Sequence, residues 1–339
     1  MVHGDNWRWI FLINVPFGIA TVLLTLLFVH EKQNNKASKK IDWKGLIVLS
    51  IGLLSILLSF TQAEKRGFQS ESAFYLTAGL VILYFFIRLE RRTREPLIDF
   101  ALFKSIHFTL PCISMLLFSA SLFGSQPYWS MFFQNFWGFS PLYGGLAFLP
   151  ATCLIAALTP IAGIIGQKSG DRLRFVVMFG ALMTGISFIY AAGINTESSY
   201  STVLLPSLLI RGIGIPFLVS STSLMMMNSV PPDKSGLAAG ILNMSKNVGT
   251  SLGVAVLGQL FTSDTGHTIS ALSRGFSGST LLKVKELATQ FIVVKDSAAA
   301  PIAQTAIIRG FSHLALFCAL ALIPVFISAS TLRKKRKRN

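Results

Sequence analysis

One arginine stands alone in an apolar run. Arg211 lies in Leu208-Leu209-Ile210-Arg211-Gly212-Ile213-Gly214-Ile215-Pro216, about a third of the way along a stretch long enough to be buried in lipid. A guanidinium at that depth is costly unless it faces a cavity or a partner, so Arg211 is a candidate contact for a polar solute. The alternative is snorkelling, in which the side chain reaches the headgroups along an eight-residue stretch. Gly212, Gly214 and Pro216 loosen the same run and permit a kink or a close helix approach. Asn243 and Asn247 are four residues apart and share one helix face. They either hydrogen-bond to a neighbouring helix or line a polar cavity. Gln126 and Gln134 are weaker candidates of the same kind.

Chemistry of other kinds has no residues to carry it. The fourteen carboxylates all fall outside the middle of an apolar run. A proton-relaying acid would sit inside one, where burial raises its pKa. The five histidines lie at run ends or in loops, where packing or hydrogen bonding explains them. There is no phosphate-cradling glycine loop ahead of a lysine, and hence no ATP site. Cys112, Cys153 and Cys318 sit inside apolar runs at neither metal nor redox spacing. No catalytic residue, metal or cofactor is expected.

The elements that would position these residues are about nine apolar runs, near 9–29, 44–62, 72–89, 107–127, 141–165, 175–193, 202–224, 235–260 and 311–332. Each approaches the ~20 residues that a helix needs to cross a bilayer. In lipid a helix satisfies its own backbone, so the runs predict an all-α integral membrane protein. Composition agrees: 52% of residues are hydrophobic, 13% are charged, and mean hydropathy is +0.61. The net charge of +16 raises the question of nucleic acid. The basic residues sit between runs and in the tail Arg333-Lys334-Lys335-Arg336-Lys337-Arg338, which fits cytoplasmic loops and lipid contact instead.

Alternate loops are unequally basic. One set holds twenty-one of the thirty Lys and Arg, counting Lys234 and Lys246, and the other set holds eight. That bias predicts an external N-terminus and a cytoplasmic C-terminus. On the external side, 262–310 reads as a long loop. Its piece Leu281–Val294 is either a short surface helix or disordered. Tyr128, Trp129, Phe132, Phe133, Phe136, Trp137 and Phe139 crowd the same side, as an interfacial aromatic belt or as a gate over a cavity. Gly236 and Gly240, like Gly249 and Gly253, are spaced for close helix packing.

Several of these segments resemble a known family. Trp7-Arg8-Trp9-Ile10-Phe11-Leu12-Ile13-Asn14-Val15-Pro16-Phe17-Gly18 is similar to the start of the sixth helix in fourteen-span drug–proton antiporters of the major facilitator superfamily, the EmrB/QacA type. Gly138-Phe139-Ser140-Pro141 with Gly145 and Leu149-Pro150 resembles the entry to the tenth helix. Leu209 to Pro216 resembles the twelfth. Ser235-Gly236-Leu237-Ala238-Ala239-Gly240 with Asn243, Gly249, Gly253 and Gly258 resembles the thirteenth. Gly163, Lys168, Gly170 and Arg172 look like a worn copy of the superfamily's conformational loop, with Gln167 where an aspartate would stand.

The resemblance implies an organisation. Residues 1–30 would be the last helix of an N-terminal bundle and 31–106 two linker helices with cytoplasmic loops. Residues 107–332 would be the six-helix C-terminal bundle, with its external loop 262–310, and 333–339 a basic cytoplasmic tail. Helices one to five of the family pattern would be absent. The implied activity is proton-driven efflux of amphipathic, often cationic organic compounds across a bacterial inner membrane. Arg211, Asn243, Asn247 and Gln126 would be the substrate or coupling candidates. The partners would be small-molecule substrates, membrane lipid and an N-terminal half on another chain, with no nucleic acid. The competing expectation is a fragment that does not transport.

Overall fold

The computed structural model describes residues 12–28, 42–66, 70–93, 98, 100–272, 284, 285, 287–292 and 300–331. Residues 1–41 and 42–339 form two separate units. The first contains α1, Asn14–Phe28, an apolar helix after Asn14 except for two hydroxyls that fold back: Thr21 and Thr25 each donate to the carbonyl four residues earlier.

The second unit is a helical bundle. Its helices are α2 (Trp43–Arg66), α3 (Ser70–Glu90), α4 (Ile106–Met131), α5 (Pro141–Leu146), α6 (Leu149–Ser169), α7 (Leu173–Ala192), α8 (Leu205–Asn228), α9 (Ser235–Leu272), α10 (Ala300–Ala321) and α11 (Ile323–Thr331). No strand occurs among the described residues. Among the described residues, five stretches are long and apolar enough to cross a membrane: Ser70–Glu90, Ile106–Phe136, Pro141–Ala192, Tyr200–Asn228 and Ala300–Thr331. Pro141–Ala192 holds two long helices, α6 and α7, which reverse at the tight turn Gly170–Arg172. Each expected apolar run finds a helix.

The bundle is apolar outside and partly polar inside. Ile164, Leu182, Ile189 and Leu320 are exposed, whereas Ser119, Ser125, Thr184, Ser187 and Ser221 are buried. A water-soluble core reverses that order; lipid reaches as far as apolar exteriors allow, and small hydroxyls let helices approach. Glycines mark the crossings. A Cβ on Gly249 or Gly253 of α9 would run into the Leu116 or Ala120 carbonyl of α4, and one on Gly124 would lie 2.7 Å from Gly253. α7 and α8 meet in the same way at Gly180 and Leu218, and α6 and α8 at Gly212 and Ala151. Because Gly249 faces Leu116 and Gly253 faces Ala120, α4 and α9 run parallel with a fixed register.

Gly236 and Gly240 depart from the packing expectation. Both are exposed, and a Cβ at either would meet nothing within 4 Å. They lie on a face of α9 that no described helix of this chain covers.

The segment expected as a loop over 262–310 is more helical than that. α9 runs on to Leu272 and α10 starts at Ala300. The extensions bury Thr265, Thr268 and Ile269 against Ala303, Ala306 and Ile307, with Gly310 seated over Thr265 and His313 Nδ1 3.0 Å from Asp264 Oδ1. Paired helices need fewer apolar residues than a lipid-facing span, so hydropathy ended both too early. Within Leu281–Val294, residues 284, 285 and 287–289 are helical and the other members lie partly outside the described residues. Phe291 is neither a surface residue nor loose. It is fully buried, takes φ 61°, and stacks on Phe261 at 4.3 Å.

Candidate functional site

Arg211 does not snorkel. It is 3% exposed, inside the bundle formed by α4, α7, α8 and α10. Its guanidinium carbon lies 4.2 Å from the ring centre of Trp129 and 4.3 Å from that of Phe188. Its Nε donates to Ser187 Oγ at 3.5 Å, and Ser187 in turn donates to the Thr184 carbonyl at 2.6 Å. Aromatic faces are electron-rich, and a desolvated cation–π contact is worth about 2 kcal/mol. Two such contacts replace the carboxylate that a buried cation ordinarily needs. The balance is incomplete: Arg211 Nη2 and Trp129 Nε1 are buried without a hydrogen-bond partner.

The aromatic side chains near Trp129 do not form an interfacial belt. Trp129, Phe132 and Phe133 are fully buried and Tyr128 is nearly so. Phe132 contacts Phe136, Trp137, Phe291 and Phe311, and Phe133 contacts Phe139, Phe148 and Tyr200. Two π-helical turns, Phe132–Phe136 and Tyr200–Leu204, deliver these rings. One ends α4 and the other leads into α8, and the wider turn shifts the rotation of successive side chains. The rings close the bundle end above Arg211, which keeps water from the guanidinium. The indole and phenol positions suggested headgroups, but in a bundle this rich in phenylalanine the rings find one another first.

Asn243, Asn247 and Gln126 are placed differently. All three are exposed, and none reaches Arg211. Among the described residues neither asparagine bonds to a neighbouring helix. In the α4–α9 register Asn247 lies level with Ser114, so Gln126 is twelve residues farther along, about 18 Å at 1.5 Å per residue. Gln134 is part-buried and donates to Ser130 at 3.0 Å. The polar candidates therefore form two separate groups.

Lys246 was missed as a site residue because it was counted with the loops. It is the twelfth residue of α9, about 17 Å from the helix start. Its Nζ lies 4.9 Å from the ring centre of Phe123. The register sets Lys246 level with Ile113, so the side chain points toward Phe123 and away from the Ser235 end. Asn243, Lys246 and Asn247 stand at i, i+3 and i+4, on one face of the helix. That spacing was the available signal. These polar residues also explain why α9 is not among the five most apolar stretches.

The loop candidates separate. Gly170 ends α6 with φ 48°, a conformation that favours glycine. Lys168 and Arg172 are exposed beside it. Gly163 has open space, and Gly166 is the tight position, where a Cβ would fall 2.7 Å from Leu224 Cδ1. Among the described residues no group of three potential ligands could hold a metal ion.

Comparison with known proteins agrees with this architecture. The family model described as Major Facilitator Superfamily matches residues 1–254. The chain is 31% identical over 264 residues to the drug efflux pump JefA of Mycobacterium tuberculosis, covering 77% of this chain and 51% of that protein. It is 29% identical over 268 residues to the tetracenomycin C resistance and export protein of Streptomyces glaucescens, covering 78% and 49%. It is 27% identical over 264 residues to the multidrug export protein EmrB of Escherichia coli, covering 76% and 51%. The chain spans about half the length of the curated relatives it matches. Match, helices and apolar exterior together make it an all-α integral membrane protein belonging to the Major Facilitator Superfamily.

Proposed function

We propose that this chain forms one bundle of a drug-efflux permease and that the polar stripe of α9 is a wall of the solute path. One observation carries the reading. Asn243 and Asn247 are exposed at membrane depth on a bundle whose other exposed side chains are largely apolar. Polar groups at that depth face a water-filled cavity or another protein element, because lipid offers them no partner. The uncovered glycines Gly236 and Gly240 continue the same helix toward its start. The naming of relatives as efflux and export proteins supports small organic compounds as the solutes. Proton drive rests on the family resemblance alone, and the chain acts as a carrier rather than an enzyme.

The half-length match favours a companion reading, in which a second bundle, on the same or another polypeptide, supplies the opposite wall. Alternating access uses two such repeats rocking about a midplane site. In both readings the tail faces the cytoplasm of a bacterial inner membrane.

The test is complementation in the host. Deleting the gene should raise retention of a fluorescent amphipathic compound, tested with both a cationic and an anionic dye, and the wild-type gene should reverse it. Asn243→Leu with Asn247→Leu should insert normally yet fail to complement. Full complementation by that double variant, or no effect of the deletion, would refute the reading.

A further inference from the structure

We propose that Lys246, framed by Asn243 and Asn247, is the anion-recognising point of the solute path, so that the path selects amphipathic compounds bearing a carboxylate, sulfonate or similar anionic group. This inference rests on α9 being a wall of that path.

Depth comes first. A lysine about 17 Å along a membrane helix lies near the middle of a ~30 Å hydrocarbon layer. Such a cation is costly unless it reaches a surface, a cavity or a partner. Direction removes the first option. Snorkelling to the nearer surface would send the side chain back toward Ser235, and it instead extends toward Phe123. Its neighbours do not neutralise it. α4 contains no Asp or Glu, α9 has only Asp264, eighteen residues away, and α10 has none; α2, which also packs on α9, has Glu64 near its last turn and Asp42 just ahead of its first. Arg211 is enclosed by its two rings and belongs to the interior.

What remains is a half-buried lysine whose ammonium carries three donors, between the exposed Asn243 and Asn247. Phe123, 36% exposed, supplies an apolar surface beside it. Two amides lie within one helical turn. An anionic amphipath matches all three features: its charge meets the ammonium, its remaining acceptors meet the amide N–H groups, and its ring or chain lies on Phe123. A cationic compound of equal size gains the same apolar contact but meets a like charge.

Charge-selective cysteine modification tests this without requiring transport. The background is Cys153→Ser, since Cys153 is exposed while Cys112 and Cys318 are buried. Asn247→Cys is introduced into the full chain and labelled in freeze–thawed membrane vesicles. One reagent is the anionic sulfonatoethyl methanethiosulfonate and the other the cationic trimethylammonioethyl compound. Both should react. Their rate ratio should fall about tenfold, against the anion, on Lys246→Met, and should survive Lys246→Arg. Lys246→Gln serves as a second neutral variant if the methionine variant is not recovered as a monodisperse protein. Tetraphenylborate should slow labelling more than its isosteric cation tetraphenylphosphonium, and that difference should vanish in the neutral variants. Reaction with an unchanged ratio, or equal protection by both ions, would overturn the anion site while leaving the wall intact. No reaction with either reagent would overturn the wall, and the anion site with it.

Discussion

Alanine placed at two glycine pairs on one helix should have opposite effects. At Gly249 and Gly253 a Cβ would run into the backbone of α4, and backbone cannot rotate aside. Ordinary contact would require the helices to part by about 1 Å. Some twenty close atom pairs, worth about 0.1–0.2 kcal/mol each, would lose a quarter to a half of their attraction, roughly 1 kcal/mol in all. Strain from overpacking adds about 1–3 kcal/mol. The double substitution Gly249→Ala with Gly253→Ala should therefore cost about 2–4 kcal/mol. Gly236→Ala with Gly240→Ala meets open space. There only the helix-propensity gain remains, up to about 1 kcal/mol per site. The assay is recovery of monodisperse chain in detergent after graded heating. The first pair should lower the midpoint and the second should leave it equal or higher. Equal midpoints for the two double variants would show that the α4–α9 contact is not the tight interface described here.

Two further outcomes are expected. A cysteine placed at Ser277 should react with an impermeant reagent in intact cells, and one at Asn339 should be spared; the reverse pattern would overturn the orientation read from the basic loops. Arg211→Lys should lower the folded yield more than Arg211→Met. A lysine has no planar surface to lie between Trp129 and Phe188 and holds its hydration more strongly, whereas methionine removes the buried charge at similar length. A higher yield for the lysine variant would mean that charge rather than ring contact sets the site.

The spans were legible because lipid imposes one rule on every residue in a run, so length and hydropathy suffice. The packing of Gly249 and Gly253 was legible for a related reason: a glycine pair four apart marks a contact that only a missing side chain permits. At Gly236 and Gly240 the same spacing meets no helix of this chain, because spacing shows that a face is smooth and not which element meets it. The outer ends of α9 and α10 escaped notice since they bury surface against each other, and Asp264 and His313 looked like loop charges. Lys246 was hidden by the charge count. A lysine three residues from Asn243 and one from Asn247 has a different meaning from a lysine beside Asp233, and only helical periodicity separates them. The clamp around Arg211 joins residues from positions 129, 187, 188 and 211. No local pattern brings those together.

The two cations at membrane depth divide the bundle into a part that holds and a part that meets solutes. Enclosing Arg211 sacrifices a guanidinium's hydration and leaves Nη2 unpartnered, a deficit of about 1–3 kcal/mol for the orphan group alone. Two ring faces and Ser187 recover a comparable amount, so the arginine is tolerated as a rigid pin between α8, α4 and α7. A pin of that kind cannot also exchange ligands, since any solute reaching it must first part Trp129 from Phe188 and open the aromatic layer above. On the proposed reading Lys246 has the converse arrangement: half-buried, with one ring and two exposed amides within a turn. Its energy improves when an anion arrives, and no packed side chain has to move. The more deeply buried charge was the stronger candidate on sequence grounds. We assign that role to the half-buried Lys246, because recognition needs a charge whose partner is still to come.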